Sequence, residues 1–154
     1  MIIDGAALPD GATLQADVAI VGAGPAGIVI GLELARAGVD VIVLESGGPT
    51  PNAEIQRLGD ATFLTRHASM RASTRRQIGG ASVIWGGRCV PYDEIDFDSR
   101  PFVPDASWPV RYRELTPYFQ RACDWFRCGR AQFDATRISE LADKSLVPGL
   151  EDGE

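Results

Sequence analysis

Asp17-Val18-Ala19-Ile20-Val21-Gly22-Ala23-Gly24-Pro25-Ala26-Gly27 and, further on, Val39-Asp40-Val41-Ile42-Val43-Leu44-Glu45 decide the fold. The first run, 17–22, is apolar and β-branched and ends on glycine, the pattern of a strand buried on both faces of a parallel sheet. A helix is predicted over 25–37, with Ile28, Leu32 and Ala35 on one face and Glu33 and Arg36 on the other. Gly38 can take the left-handed conformation that ends such a helix. Val39 to Leu44 form the second apolar strand. Strand, helix and strand this close together make a right-handed parallel β-α-β unit over 17–45.

The glycines carry the chemistry. Gly22 turns the chain out of the strand, Gly24 leaves room for a pyrophosphate at the backbone, and Gly27 lets the helix pack close to the strands. Gly31 extends that close packing by one turn. Unpaired N–H groups at the helix start, together with the helix dipole, hold an anion there. The cofactor-contacting stretch is therefore Gly22, Ala23, Gly24, Pro25, Ala26 and Gly27. Glu45 ends the second strand 18 positions after Gly27. A carboxylate there accepts hydrogen bonds from ribose hydroxyls and repels a 2′-phosphate, which disfavours NADP. A G-x-G-x-x-G alone is weak evidence; here the strand before it, the helix after it and the acidic residue all match. FAD and NAD both satisfy this motif. The small residues Ser46-Gly47-Gly48 suit a flavoprotein.

A second glycine-rich loop follows at Gly79-Gly80-Ala81-Ser82-Val83-Ile84-Trp85-Gly86-Gly87. Its N–H groups can bond pyrophosphate oxygens or the polar edge of an isoalloxazine. Ser82 is either a cofactor partner or a turn residue, and Trp85 packs either beside a flavin ring or into the core. Arg76 and Arg88 flank the loop; Arg76 faces phosphates or solvent, and Arg88 reads as a solvated surface residue. A short helix is expected near 53–58 within a glycine- and proline-rich loop. The four prolines of 91–110 suggest an excursion over the surface. Thr116 can cap a helix with Pro117 at its first position, running to about Arg127 and burying Phe119, Ala122 and Phe126. Tyr112 and Leu115 pack in a short turn before it. The tail from Ile138 reads as helical, and Pro148-Gly149 with the acidic end as an edge.

Bulk properties exclude several classes. A chain of 154 residues suits one modest domain, and 45% apolar with 23% charged residues is a globular balance. The net charge of -6 argues against a nucleic-acid partner, although Arg71, Arg75, Arg76 and Arg88 form a local basic cluster. Cys89, Cys123 and Cys128 include no C-x-x-C pair, so unbridged, mostly buried thiols in a reducing compartment are expected. His67 is the only histidine, and no metal-ligand spacing occurs; it reads as a surface or satisfied core residue. The first residues lack a basic stretch followed by an apolar one, and Glu33, Arg36 and Asp40 interrupt the longest apolar stretch. No membrane span and a cytoplasmic location are expected.

The loop Arg76-Gln77-Ile78-Gly79-Gly80-Ala81-Ser82-Val83-Ile84-Trp85-Gly86-Gly87 resembles the second flavin-contacting segment of the glucose-methanol-choline (GMC) oxidoreductases. It is most similar to the sugar-oxidising branch with pyranose oxidase-like and fructose or gluconate dehydrogenase-like flavoproteins. Trp108-Pro109-Val110 and Tyr112 to Phe119 resemble the tryptophan-proline segment and helix that this branch carries next. The resemblance covers 17–45 and 76–127. It implies an α/β fold: a Rossmann-like FAD-binding β-α-β unit with an irregular extension and helices, incomplete relative to the full family fold. Residues 1–154 would be the N-terminal portion of the FAD-binding domain, with 76–90 as the flavin-contacting loop, 108–127 as the Trp-Pro segment and helix, and the substrate domain absent. By the resemblance Ala81 and Ser82 would lie near the pyrophosphate or flavin, and Trp85, Gly86 and Gly87 near the ring; Ser46, Arg76 and Gly80 are further candidate cofactor contacts. The motif holds no histidine for covalent attachment, so non-covalent FAD is implied. The implied reaction is oxidation of a small-molecule alcohol, a sugar or polyol, with hydride passing to flavin N5 and an unspecified electron acceptor. The family's catalytic histidine lies far downstream, so no catalytic residue is assigned here and the chain alone is expected to be inactive. Two alternatives stand: an NAD-binding protein using the first motif alone, and a non-catalytic remnant that binds FAD or a partner chain.

Overall fold

Val18–Val21 (β1) and Val41–Leu44 (β2) pair in parallel, with Val18 opposite Val41 and Val21 opposite Leu44. Pro25–Arg36 (α1) connects them, so the β-α-β unit expected from 17–45 is present. Apolar β-branched residues fill both strands, and Pro25 starts the helix at a position that needs no N–H. Gly38 ends it with φ +82. The Gly38 N–H donates to the Ala35 carbonyl and the Val39 N–H to the Leu34 carbonyl, both at 3.1 Å, the paired bonds of a left-handed helix stop.

The computed structural model behind this description covers residues 1–60, 66, 68–104, 106–134 and 137–138, without the Arg71 side chain. His67, the expected helix beyond Ile138 and Pro148-Gly149 lie outside the described residues. The chain divides into two compact units, Met1–Gly87 and Arg88–Glu154. The division cuts the expected 76–90 segment after Gly87, leaving the second glycine loop in the first unit and the Trp-Pro segment in the second.

In the first unit, α1 meets the sheet through glycine. A Cβ on Gly27 would collide with the Gly22 carbonyl oxygen, and one on Gly31 would sit 3.2 Å from Val43 Cγ2. This corrects the expected helix face. Leu32 and Ala35 are exposed, because close approach is possible only where the side chain is missing, at Gly27 and Gly31. The strands also differ from expectation. Ile20, Val41 and Val43 lie under Gly31 of α1, whereas Val21 on the opposite face is 87% exposed and Leu44 48%. Only one face of the two-stranded sheet has a helix against it among the described residues. Ala53–Arg57 (α2) forms where a short helix was expected, capped by Asn52, whose Oδ1 accepts from Glu54 and Ile55 N–H. Met70–Ser73 (α3) is a single turn in the Arg-rich stretch.

The second unit is organised by aromatic rings. Tyr92, Phe97, Trp108, Tyr112, Phe119 and Phe133 follow one another at centroid spacings of 5.8–6.1 Å. Such pairs contribute about 0.5–1.5 kcal/mol each beyond their burial. The proline-rich stretch is thus more than a surface excursion: Glu94–Phe97 forms a 3-10 turn that turns Phe97 toward Trp108 and Tyr112. The helix starts earlier than expected. Tyr112–Leu115 (α4) and Phe119–Phe126 (α5) are joined by a 3-10 turn at Thr116–Tyr118 around Pro117. Thr116 is no cap; its hydroxyl donates back to the Arg113 carbonyl, while Glu114 Oε2 accepts from the Arg111 N–H at the true start. Cys123 is buried in place of Ala122 and Phe126, both exposed. The inward face runs Tyr112, Leu115, Phe119, Cys123, following the aromatic chain rather than the count of apolar residues.

The collision at Gly27 sets a test. Gly27→Ala is expected to destabilise the chain by about 1–3 kcal/mol. Gly48→Ala, whose added methyl meets nothing within 4 Å, stays within about 0.5 kcal/mol. Urea-unfolding midpoints of the two variants check this.

Candidate functional site

Three backbone turns converge in the first unit. The first is the exit of β1. Gly22 takes φ +102 and donates its N–H to the Leu44 carbonyl at 2.7 Å, so the turn is fastened to the end of β2. Gly24 caps α1 without any side-chain bond, and Pro25 has no N–H to give. Among the described residues no hydrogen bond engages the N–H groups of Gly24, Ala26 and Gly27. They stand at the positive end of the helix dipole.

The second turn, 45–49, is tied to the first by one carboxylate. Glu45 Oε2 accepts from the Ala23 N–H at 2.9 Å, and Oε1 accepts from the Gly47 N–H at 2.9 Å and the Ser46 hydroxyl at 3.1 Å. Burial pushes the Glu45 carboxyl up, but the Gly47 and Ala23 N–H bonds and the Ser46 hydroxyl outweigh it and hold the group below its ordinary value. A carboxylate offers about four lone-pair sites, so a ribose hydroxyl joins or displaces these donors rather than meeting a bare anion.

The third turn, 76–80, closes onto both. The Gly79 N–H donates to the Ala23 carbonyl at 2.7 Å, and the Ile78 N–H to the Gly48 carbonyl at 3.1 Å. Gly79 and Gly80 have φ +94 and +56, and a Cβ on Gly80 would lie 3.0 Å from Gly24 Cα. A Cβ on Gly47 would collide with the Arg76 carbonyl. Glycine at 47 and 80 is what lets the three turns meet.

The side chains expected at the site divide accordingly. Arg76 is half-buried and its Nη1 donates to Ser46 Oγ at 3.1 Å, forming a relay from guanidinium through hydroxyl to Glu45. That sets it beside the acidic residue. The Arg75 guanidinium donates to the Thr74 carbonyl. Arg88 is exposed and belongs to the other unit. Ser82 spends its hydroxyl proton on the Gly79 carbonyl at 2.6 Å, inside the 3-10 turn Gly80–Val83. Ala81, Gly86 and Gly87 are exposed, and Trp85 is 45% exposed.

Two residues escaped the sequence reading. Gln77 is buried, and its Nε2 donates to the Pro49 carbonyl at 2.8 Å while its Oε1 has no partner among the described residues. Gln56 bonds the Arg76 N–H through Oε1 and the Thr74 carbonyl through Nε2. Gln77 clamps the third turn onto the second, and Gln56 clamps it onto α2. Neither lies in a periodic stretch, so no signal marked them.

The donor set fits a pyrophosphate: three unengaged N–H groups, no side chain at Gly24 or Gly80, and an acid beside the second strand. Residues 15–54 match the FAD binding domain family. The cofactor is FAD. That decides between the two dinucleotides left open above. The chain is 31% identical over 119 residues to 6'''-hydroxyparomomycin C oxidase of Streptomyces lividus, covering 68% of this chain and 21% of that protein. It is 32% identical over 116 residues to paromamine 6'-oxidase of Streptomyces fradiae, covering 67% and 21%. It is 28% identical over 150 residues to gluconate 2-dehydrogenase flavoprotein of Pantoea cypripedii, covering 70% and 24%. The chain thus spans about a fifth of the length of the first two curated relatives. No solved structure matches it. Among the described residues, no helix is long and apolar enough to cross a membrane, and no group of three His, Cys, Asp or Glu could hold a metal.

The lowered Glu45 value gives a pH dependence with a definite sign. A depressed carboxyl stabilises the folded chain above its unfolded value, and the contribution disappears as pH falls through the folded value. Urea midpoints of wild type and Glu45→Gln are expected to differ at neutral pH and to converge on acidification below the ordinary carboxylate range.

Proposed function

We propose that this chain is the FAD-binding part of a GMC-like oxidoreductase acting on CH–OH groups of a sugar or polyol. The observation that carries the FAD half is the convergence of three glycine turns around unengaged N–H groups, the first two of them within the matching segment 15–54. The substrate half rests on relatives whose names speak of paromamine, hydroxyparomomycin C and gluconate, together with the resemblance of 76–87 and 108–119 to the sugar-oxidising branch.

In this reading the N–H groups of Gly24, Ala26 and Gly27 hold the pyrophosphate, with Gly22, Ala23 and Pro25 shaping the turn. Glu45 takes a ribose hydroxyl, and the Arg76–Ser46 pair steadies that carboxylate and adds positive charge beside the phosphates. Gly80 and Ser82 build the covering turn, and Ala81, Trp85, Gly86 and Gly87 lie toward the ring. Binding is non-covalent. FAD supplies a two-electron hydride acceptor when bound. No residue of this chain is assigned the base that takes the hydroxyl proton, and turnover by the chain alone is not expected. A cytoplasmic setting belongs to the same proposal and is supported by the odd cysteine count.

The match to menaquinone reductase of Mycolicibacterium smegmatis, 43% identical but over only 38% of this chain, favours a second reading as a reductase of a quinone. The longer matches support the sugar reading over it.

Gly24→Ala tests the site apart from the fold, because the added methyl meets no protein atom within 4 Å. Flavin-fluorescence titration is expected to show FAD binding weakened at least about tenfold, or 1.4 kcal/mol, with an unchanged urea midpoint. Equal affinity in variant and wild type would remove the pyrophosphate from this turn. Steady-state assay of the FAD-loaded chain with sugars, polyols and an artificial acceptor is expected to give no turnover.

A further inference from the structure

Arg76 is fixed at both ends. Its backbone N–H donates to Gln56 Oε1 at 3.1 Å. Its carbonyl fills the space that a Cβ on Gly47 would need, and its Nε runs past Gly59, 3.3 Å from where a Cβ would stand. Nη1 donates to Ser46 Oγ at 3.1 Å. The half-buried guanidinium is thereby set one hydroxyl away from the Glu45 carboxylate. Beyond the bond to Ser46, its N–H donors have no partner among the described residues. The carboxylate is used unevenly. Oε1 accepts from the Gly47 N–H at 2.9 Å and the Ser46 hydroxyl at 3.1 Å, whereas Oε2 accepts from the Ala23 N–H alone among the described residues. With about two lone-pair sites on each oxygen, Oε1 is filled and Oε2 keeps room for a single further donor. A ribose presents a pair of neighbouring hydroxyls, and Glu45 in this arrangement serves only one of them.

We propose that Arg76 is a specificity-determining residue for the adenosine ribose, and that the vicinal hydroxyls are divided between two side chains. One hydroxyl donates to the open site on Glu45 Oε2. Its neighbour accepts from the Arg76 guanidinium. The inference rests on the reading of the first unit as an FAD site and deepens it at the adenosine end. It asks more of Arg76 than charge beside the phosphates, because a hydroxyl is neutral and is held only by a directed N–H. A guanidinium suits that task. Its planar fork can hold Ser46 Oγ and a second oxygen at once, which an ammonium, as a point charge, does not do in fixed geometry. Acid and base also complement each other here: the carboxylate only accepts and the guanidinium only donates, so a vicinal diol is bound in both senses. Glycine at 47 and 59 belongs to the same arrangement, since a side chain at either would push against Arg76.

The test uses the 154-residue chain with ADP, 2′-deoxy-ADP and 3′-deoxy-ADP as competitors of FAD in a flavin-fluorescence titration. ADP carries the adenosine ribose and the pyrophosphate without the flavin. Wild type is expected to bind ADP about tenfold more tightly than either deoxy analogue, the effect of one hydrogen bond to a charged group. In Arg76→Gln the preference for ADP over one analogue is expected to fall to within about twofold, while the preference over the other, set by Glu45, stays near tenfold. Equal wild-type affinity for ADP and either analogue would overturn the proposal. So would Arg76→Gln with both preferences intact, the mark of an arginine that supplies charge alone, or with both lost together, the mark of one that only positions Glu45. Direct titration with FAD separates the two levels. A wild-type chain that takes up no FAD removes the cofactor reading and this proposal with it, whereas FAD uptake with both preferences intact in the variant removes only the role given to Arg76. The urea midpoint of Arg76→Gln reads its folding, and the wild-type comparison tests the division without any variant.

Discussion

The Glu45 carboxylate holds the first unit in its working shape. One oxygen takes the N–H of Ala23 in the turn after β1, and the other takes the N–H of Gly47 in the turn after β2. Two loops that leave adjacent parallel strands are thereby locked edge to edge. The third turn can dock only on that prepared surface, through the Gly79 N–H to the Ala23 carbonyl and Gly47 against Arg76. A backbone N–H bonded to a charged acceptor contributes roughly 1.5–3 kcal/mol, more than a neutral pair. In a sheet of two strands among the described residues, that tie carries weight that packing cannot.

Packing in this unit is thin. Ala23 and Cys123 are the apolar residues buried below a tenth of their area among those described, and only Ala23 belongs here. Val21, Ile30, Leu32 and Leu44 present apolar surface. Exposed apolar side chains such as these are what other protein elements cover. The turns therefore depend on hydrogen bonds and on missing side chains more than on a core. The same economy of side chains leaves the helix N-terminus of α1 open to an anion.

The β-α-β unit was legible because its signals are local. Strand residues, Pro25 at the helix start, Gly38 at its end and Glu45 after β2 each act within a few positions. What the sequence did not disclose are contacts across long separations. The face of α1 was misjudged because glycines at 27 and 31 count as nothing in an apolar tally, yet they make the contact. Strand burial was misjudged because a buried-strand pattern describes which residues tolerate burial, not which neighbours are present. Gln56 and Gln77 tie the third turn to segments 20 and 28 residues away in sequence, which no periodicity reveals. The aromatic chain from Tyr92 to Phe133 was hidden by prolines that read as a surface loop.

Hydrogen exchange of the backbone amides with and without FAD tests the central claim most directly, since it reads the three turns separately. FAD is expected to slow exchange at Gly24, Ala26 and Gly27 and at residues 45–48, and to leave α5 unchanged. Protection confined to other segments, with the amides of Gly24, Ala26 and Gly27 exchanging at the same rate in both states, would contradict it.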